Sequence, residues 1–292
     1  MLAALIQTMR VPFLILAPVC VLLGVATAGP GALMSLDVLL LMSGALLAHI
    51  SVNMFNEYQD FRSGLDLVTQ RTPFSGGSGG LPGEPAAAPF TLAGAVITLI
   101  LAGLAGIPLA VKHPSLWLIG LAGVLLILTY TRQINRQPWL CLVAPGAGFG
   151  LLMVSGSAIV AGVESVGSVM AAALLVFFLV NNLLLANQFP DINADATHGR
   201  DHLLIRYGTG AGVLAYCLGW LAAALTLVLA VFSGIWPGWA LLAGAPLCLG
   251  LVTAISLWQL RGDIAQRPQA LGMNVIATLL TPFVIALILL LR

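Results

Sequence analysis

Charged side chains are scarce in this sequence. It holds 11 Lys and Arg and 10 Asp and Glu among 292 residues, a charged fraction of 7%, where a water-soluble domain carries about 25%. Hydrophobic residues make up 60% of the chain, and the mean hydropathy is +1.06. So much apolar surface cannot be hidden in a water-soluble core, so lipid must solvate the chain. We therefore predict an all-α, polytopic membrane protein.

Basic runs and paired cysteines are also missing. No cluster of Lys and Arg of the kind that binds nucleic acid occurs, so we expect no nucleic-acid partner. Four cysteines are present, and none forms a CxxC pair: Cys20, Cys141, Cys217 and Cys248. Because all four lie in apolar stretches, we interpret them as buried or lipid-facing thiols and not as disulfides or metal ligands.

Long apolar runs fill most of the chain. They lie at residues 11–29, 34–56, 90–111, 114–131, 139–162, 168–190, 211–233, 236–259 and 271–291. A transmembrane helix needs about 20 apolar residues, so the length accommodates about nine such helices. We predict a single transmembrane domain over residues 1–292 with about nine spans.

The basic residues are distributed unevenly between the two ends of these spans. With nine spans, nine of the 11 basic residues fall on one side: Arg10, Arg62, Arg71, Arg132, Arg136, Arg200, Arg206, Arg261 and Arg267. Only Lys112 and Arg292 fall on the other. Basic loops stay in the cytoplasm, so we predict a multi-pass protein of the inner (cytoplasmic) membrane whose polar loops face the cytoplasm.

A first polar segment lies at the predicted cytoplasmic end of the second run. Its polar residues are spaced by four, three and four positions: His49, Asn53, Asn56 and Asp60. This spacing places them on one face of a helix, and polar residues in a membrane helix face the bundle interior. Asp66 follows six residues later, off that face, and Gly64 would let the chain turn and bring it back.

A second polar segment follows the sixth run. Asn187, Asp191 and Asp195 are each four residues apart, which again predicts one helical face. Two such ends on the same side would form a cavity of oxygen ligands suited to Mg²⁺. Four carboxylates gathered without a cation would repel one another. A diphosphate could share that metal, with Arg71, Arg200 and Arg206 taking its outer oxygens.

At these residues the chain resembles the UbiA superfamily of intramembrane aromatic prenyltransferases, and is most similar to the 1,4-dihydroxy-2-naphthoate prenyltransferases of menaquinone biosynthesis. The first motif of that branch is filled by Asn53, Asn56, Glu57, Tyr58, Asp60, Gly64 and Asp66. The second is matched at Asn187, Asp191, Asp195, Gly199, Arg200 and Leu203. Weaker matches are Arg10 with Pro12, Tyr130 with Thr131, and Asn274.

The resemblance implies nine helices around a central cavity and a Mg²⁺-dependent transfer of a prenyl group from a prenyl diphosphate to an aromatic acceptor. The metal ligands it implies are Asn56, Asp60, Asp66, Asp191 and Asp195. The catalytic residues are Asp60, Asp191, Tyr58, Glu57 and His49, and Glu57, His49 and a diphosphate oxygen are alternatives for the base. The substrate-binding residues are Asn53, Asn56, Arg71, Asn187, Arg200, Arg206, Tyr130, Arg132, Arg10 and Asn274.

Several residues depart from the pattern of that family. Gln188 and Pro190 replace an Asn and an Arg, His202 replaces a Thr, and the loop after Tyr130 lacks an expected acid. The glycine-rich loop at 71–80 could wrap a phosphate with backbone amides or act as a flexible lid. These departures leave other acceptors open: 4-hydroxybenzoate, homogentisate, a tetrapyrrole or a glycerol phosphate. A cation-coupled transporter is the alternative from another functional class.

Overall fold

The computed structural model describes residues 1–29, 31 and 35–292. Within these residues, seven helices are long and apolar enough to cross a membrane. The count becomes eight if Leu2–Phe13 and Leu16–Ala26, which are bent by 40° relative to each other, form one span. The predicted all-α, polytopic membrane architecture is confirmed.

Fourteen α-helices are numbered here in chain order. They are α1 (Leu2–Thr8), α2 (Leu16–Ala26), α3 (Leu36–Ser63), α4 (Leu65–Val68), α5 (Gly80–Gly83), α6 (Ala88–Lys112), α7 (Ser115–Thr129), α8 (Pro138–Gly146), α9 (Ser155–Ala161), α10 (Val166–Gln188), α11 (Ile192–Thr197), α12 (Leu203–Phe232), α13 (Gly244–Gln259) and α14 (Pro268–Leu290). A π-helical stretch, Ala147–Val154, joins α8 to α9, so Pro138–Ala161 is one span.

Most predicted runs agree with the observed helices to within a few residues, but α12 begins at Leu203, eight residues before the run at 211–233. The run at 114–131 is the 15-residue helix α7, about 22 Å long, which is shorter than the hydrocarbon core of a bilayer. The first run begins after Arg10, whose left-handed backbone (φ 54°) separates α1 from the turn Val11–Phe13, and the run is bent before Leu16, where α2 begins. The second run was predicted to start at Met34, which lies outside the described residues, and α3 begins at Leu36.

Small residues allow the spans to approach one another closely. Helices α3 and α6 run antiparallel, since Gly94 faces Met54 and Gly44 faces Ala105. A Cβ atom placed on Gly150 would lie 2.6 Å from the backbone nitrogen of Phe177, so the π-helical stretch needs glycine to pack on α10. Such contacts hold membrane helices together where the hydrophobic effect does not.

A buried polar network joins α10, α12 and α14. The Tyr216 hydroxyl donates to Asn274 Oδ1 (2.8 Å), and Asn274 Nδ2 donates to the Asn182 carbonyl (3.2 Å). Asn182 Nδ2 in turn donates to the Tyr216 carbonyl (2.9 Å). The Asn274 amide group is thus bonded within this packing interface, and the residue lines neither of the cavities described below. The structure places Asn274 in the helix packing and apart from the predicted substrate site.

Candidate functional site

The polar face of α3 ends at a turn that returns the chain to the same cavity. Asn56 Nδ2 donates to Asp60 Oδ2 (2.6 Å), and one turn earlier Asn53 Nδ2 donates to the Met9 carbonyl (3.0 Å). Gly64 then takes a left-handed conformation (φ 85°) at the end of α3. Helix α4 follows, and Asp66 lines the same cavity as Asp60, as the glycine at 64 predicts.

The second polar segment is split between two helices. Helix α10 ends at Gln188, and Asp191 stands just before α11. Pro190 has no N–H with which to continue the hydrogen bonding of α10. Asn187 and Asp191 therefore do not share one continuous helical face. The prediction of one shared face for these residues is wrong. The turn nevertheless leaves Asn187, Asp191 and Asp195 lining a common cavity.

The two segments meet at a cavity of about 100 Å³, the carboxylate cavity, whose acidic wall consists of Asp60, Asp66, Asp191 and Asp195. Arg200 lies between the segments. Its Nη2 donates to Asp60 Oδ2 (2.6 Å) and its Nη1 to Asp195 Oδ1 (3.1 Å). The second oxygen of Asp195 lies 3.1 Å from Nε2 of the buried His202. Asp60 and Asp195 are therefore already paired with protein groups.

Asp66 and Asp191 each have a buried oxygen that finds no partner among the described residues. Asp66 Oδ2, Asp191 Oδ1 and Asn187 Oδ1 are buried and accept no hydrogen bond from any residue that the structure describes. Burial raises the pKa of Asp66 to about 7, helped by the nearby Asp60 charge. Burial likewise raises the pKa of Asp191 to about 7, helped by Asp195. Buried oxygens rarely stay unpaired, so this set suits a bound cation.

The described residues do not enclose such a cation by themselves. Across residues 1–29, 31 and 35–292, no three His, Cys, Asp or Glu side chains are grouped closely enough to hold a metal ion. Mg²⁺ in phosphate-binding sites typically takes one or two carboxylates and completes its shell with water and phosphate oxygens. The unpaired oxygens of Asp66 and Asp191 fit this kind of site, in which the substrate supplies the remaining ligands.

The glycine-rich loop connects the two acidic segments. The Gly76 amide donates to Asp191 Oδ2 (3.1 Å), and the Ser78 amide and hydroxyl donate to Glu57 (2.9 and 2.6 Å). Gly76 and Gly77 have φ values of 83° and 74°, which favour glycine. A Cβ atom on Gly77 would lie 2.7 Å from Asp66 Oδ1, so the loop can sit on this carboxylate only because it lacks side chains there.

Glu57 and His49, the two side chains predicted as possible bases, are both engaged elsewhere. Glu57 also accepts from Arg10 Nε (2.6 Å), so both of its carboxylate oxygens are occupied. His49 packs its ring edge-on against Phe149, with centroids 4.8 Å apart. It lies three turns before Asp60, about 16 Å along α3, and does not line either cavity. The structure keeps His49 away from the carboxylates and holds both oxygens of Glu57 in other contacts.

A second cavity of about 380 Å³, the basic cavity, adjoins the first at Asp60, Leu65 and Arg200. Its remaining walls include the predicted site residues Tyr58 and Arg132, and also Arg62, Arg136 and His198.

The other predicted arginines divide between site and surface. Arg71 folds back so that its Nη2 donates to the Asp66 carbonyl (3.3 Å), and Arg10, like Tyr130, lines the carboxylate cavity. Arg206 forms an ion pair with Asp201 on the exposed surface, so the structure does not bring it to the site.

Three features of the site were not recognised from the sequence. His202, which replaces a Thr of the family pattern, is 1% exposed and holds Asp195. Ser78 docks the glycine-rich loop on Glu57. Gln188 Nε2 donates to the Cys141 sulfur (3.2 Å) in the wall of the carboxylate cavity. Sequence spacing offers no signal for Ser78 or Cys141, because their partners lie 21 and 47 residues away.

Several solved structures share this fold. An apo UbiA homologue from Aeropyrum pernix K1 is 16% identical, with a TM-score of 0.71 over 92% of this chain and 94% of that one. A digeranylgeranylglyceryl phosphate synthase is 18% identical, with a TM-score of 0.69 over 98% of both chains. A UbiA homologue from Archaeoglobus fulgidus bound to DMAPP and Mg²⁺ is 15% identical, with a TM-score of 0.63 over 97% and 99%. No curated protein matches the chain.

The sequence itself carries a family assignment across nearly its whole length. The UbiA prenyltransferase family matches residues 17–289, which include both acidic segments, the glycine-rich loop and every span from α3 onwards. The chain therefore belongs to the UbiA prenyltransferase family and is an intramembrane prenyltransferase.

Proposed function

We propose that the protein transfers a prenyl group from a prenyl diphosphate to an aromatic acceptor in a Mg²⁺-dependent reaction, with 1,4-dihydroxy-2-naphthoate or a related quinone precursor as the acceptor. The observation that carries this proposal is the carboxylate cavity, where Asp66 and Asp191 come from different segments and each presents an unpaired buried oxygen. Such a pair suits a metal that a diphosphate shares.

Asp66 and Asp191, with Asn187, would hold Mg²⁺ on their free oxygens, and Asn56, Asp60 and Asp195 complete the polar wall. Bound there, Mg²⁺ would supply positive charge to neutralise the diphosphate as it leaves. The Archaeoglobus fulgidus homologue is bound to Mg²⁺ with DMAPP and with GPP. These ligands support the same substrate class here.

Arg200 would stabilise the leaving diphosphate from a fixed position. Asp60 and Asp195 hold its guanidinium from both sides, and a preorganised cation stabilises developing charge without reorganising. Tyr130, which lines the carboxylate cavity, and Tyr58, which lines the basic cavity, offer aromatic faces to the allylic cation.

The proton lost from the acceptor ring needs a base. Glu57 is held by Arg10 and Ser78, and His49 packs on Phe149 away from both cavities. We therefore propose an oxygen of the released diphosphate as the base. It forms at the reaction site when the allylic C–O bond breaks.

The site is proposed to face the cytoplasm from the inner membrane. Arg10, Arg71 and Arg200 gather at the site, whereas Lys112 pairs with Asp37 at the far ends of α6 and α3. This asymmetry agrees with the rule that basic loops remain cytoplasmic. The family assignment does not favour the transporter alternative.

The proposal is tested by diphosphate release from purified protein in lipid vesicles, with geranylgeranyl diphosphate and 1,4-dihydroxy-2-naphthoate, with and without Mg²⁺. We expect release that depends on both Mg²⁺ and acceptor. Asp191→Asn should abolish it, and Asp263→Asn, a surface carboxylate bonded to Gln266, should not. Release only with 4-hydroxybenzoate, homogentisate or a glycerol phosphate would identify that compound as the acceptor in place of 1,4-dihydroxy-2-naphthoate. No release with any acceptor would reject the function.

A further inference from the structure

We infer that His202 is a positioning residue, which holds Asp195 so that its carboxylate supports the Arg200 guanidinium and does not serve as a metal ligand. The inference rests on the diphosphate chemistry of the proposed function. It assigns a role to a side chain that stands where the family pattern has a Thr. It also gives Asp195 a different role from the metal ligand that the resemblance implies.

The chain reverses direction after α11, so that two side chains reach back to Asp195. Gly199 takes a left-handed conformation (φ 78°), which favours glycine, and the Arg200 amide donates to the Asp195 carbonyl (3.2 Å). His202 then stands directly before α12, with an extended backbone (φ −84°, ψ 177°). The positions of Arg200 and His202 are thereby fixed relative to the carboxylate that both side chains contact.

Both carboxylate oxygens of Asp195 are occupied. Oδ1 accepts from Arg200 Nη1 (3.1 Å), and Oδ2 lies 3.1 Å from His202 Nε2. An ionised carboxylate accepts hydrogen bonds and cannot donate them, so the His202 nitrogen is the donor. Asp195 and His202 are each 1% exposed, and among the described residues Asp195 is the one hydrogen-bond partner of the His202 ring. The carboxylate therefore cannot turn away from Arg200 without breaking a buried contact.

The carboxylate oxygens that suit a metal lie elsewhere in the carboxylate cavity. Asp66 Oδ2 and Asp191 Oδ1 are buried and find no partner among the described residues. Mg²⁺ in phosphate-binding sites typically takes one or two carboxylates, and these two residues supply them. A cation on Asp195 would lie beside the Arg200 guanidinium, which would repel it. Asp195 is left to hold Arg200.

Arg200 depends on two supports, because Asp60 holds its Nη2 (2.6 Å) and Asp195 holds its Nη1. Without the bond from His202, the Asp195 carboxylate can turn and Arg200 loses one of these supports. Diphosphate binding should then weaken at every Mg²⁺ concentration, while the amount of Mg²⁺ required stays the same. Loss of a metal ligand should instead raise the Mg²⁺ requirement.

The test measures binding of geranylgeranyl diphosphate to the full-length protein in lipid vesicles, without an acceptor, over a series of Mg²⁺ concentrations. It yields the dissociation constant at saturating Mg²⁺ and the Mg²⁺ concentration at half-maximal effect. We expect His202→Leu to raise the dissociation constant about fivefold or more, since a charge-assisted hydrogen bond is lost, and to leave the Mg²⁺ requirement unchanged. His202→Gln, whose amide can donate in place of Nε2, should restore binding to within about twofold of the wild type.

Three further variants separate the alternatives. Asp191→Asn should raise the Mg²⁺ requirement by about tenfold or more, whereas Asp195→Asn should resemble His202→Leu and carries the test if the leucine variant does not fold. His113→Leu makes the same substitution between α6 and α7, at the opposite end of the bundle, and should change neither value. Thermal unfolding in detergent checks the folding of each variant.

The inference is wrong if Asp195→Asn or His202→Leu raises the Mg²⁺ requirement as Asp191→Asn does, because Asp195 would then bind the metal. It is equally wrong if His202→Leu behaves like His113→Leu. Impairment of His202→Gln to the level of His202→Leu would also overturn it, since the donor at Nε2 would not be what matters.

Failure of this inference is distinguishable from failure of the proposed function. Mg²⁺-dependent diphosphate release by the wild type, together with any of those three outcomes, would retain prenyl transfer and reject the positioning role. The expected binding pattern without diphosphate release to any acceptor would retain the positioning role and reject prenyl transfer. Absence of geranylgeranyl diphosphate binding by the wild type would reject both.

Discussion

Arg200 connects two acidic segments that are more than a hundred residues apart in the chain. Its two terminal nitrogens reach Asp60 and Asp195 at 2.6 and 3.1 Å. Burial alone would lower the pKa of Arg200, but these two carboxylates raise it overall, so the guanidinium stays charged at all working pH values. Because it is planar and forked, it can hold both carboxylates at once while it lines the cavity.

Arg200→Lys is expected to reduce prenyl transfer by about a hundredfold or more, since one ammonium cannot bridge both carboxylates in the same geometry. The measurement is kcat in the diphosphate-release assay, with thermal unfolding in detergent as the check on folding. Removing a paired buried charge completely leaves its partners uncompensated at a cost of about 3–5 kcal/mol, so lysine is preferred to alanine. Activity near the wild-type level would show that bridging is unimportant.

Glu57 is a residue whose sequence position and tertiary contacts indicate different roles. It belongs to the first acidic motif, yet Arg10 and Ser78 occupy both of its oxygens. The contacts indicate that Glu57 docks the glycine-rich loop against the end of α3 and against the turn at Arg10, which follows α1. Glu57 is then a residue that positions the glycine-rich loop.

Glu57→Gln should loosen that loop, because the charge-assisted hydrogen bonds to Arg10 and Ser78 are lost. We expect faster trypsin cleavage after Arg71, a raised KM for the prenyl diphosphate and a pH profile of kcat with unchanged shape. An unchanged rate of cleavage combined with loss of one limb of the pH profile would identify Glu57 as the base instead. Ser78→Ala, which removes one of the same hydrogen bonds, should show a smaller effect in the same direction.

Among the structural elements, the glycine-rich loop and the ends of α3 and α10 form the site together. The loop bonds to Glu57 on one side and to Asp191 on the other, which ties its position to both acidic segments. Its glycines at 76, 77 and 79 all have positive φ, a succession that turns backbone amides inward. These contacts indicate that the glycine-rich loop is ordered over the carboxylate cavity and is not a flexible lid.

Gly77→Ala should raise the KM for the prenyl diphosphate at least severalfold, because its methyl group would meet Asp66 Oδ1 and its φ of 74° is unfavourable for alanine. Gly83→Ala is the matched control, since a Cβ atom there meets nothing within 4 Å. Steady-state kinetics with varied geranylgeranyl diphosphate distinguish the two. Equal kinetics for both variants would mean that the loop does not approach the substrate.

Across the whole molecule, charge is distributed unevenly between the two ends of the bundle, which supports the proposed orientation. The site lies at the end of the bundle where the arginines gather, while Asp37 and Lys112 pair at the opposite end. Exposed tryptophans at 117, 139, 239 and 258 are typical of the interfacial belts that fix a protein in the bilayer.

Trypsin should cleave the 71–80 loop only when the cytoplasmic face is accessible. Inverted inner-membrane vesicles should yield a cut after Arg71, and right-side-out vesicles should not. A soluble periplasmic marker controls for leakage. Cleavage in right-side-out vesicles alone would reverse the proposed orientation.

Features that depend on neighbouring residues were predictable from the amino-acid order. Apolar runs are local, so eight of the nine predicted spans match helices of spanning length when the bent first pair is taken as one span, and the run at α7 is only shorter than expected. The polar face formed by Asn53, Asn56 and Asp60 likewise depends on residues within one or two helical turns, and so does the turn at Gly64. Both acidic segments could therefore be located from residue spacing alone.

Which groups meet across the bundle depended instead on tertiary packing. Arg200 binding to Asp60, Ser78 binding to Glu57 and Asn274 binding to Tyr216 all join distant parts of the chain. Whether a side chain faces a cavity or a helix neighbour depends on how whole spans rotate against one another. Periodicity identifies a polar face but not what it contacts, so the separation of a carboxylate cavity from a basic cavity emerged only from the packing of the spans.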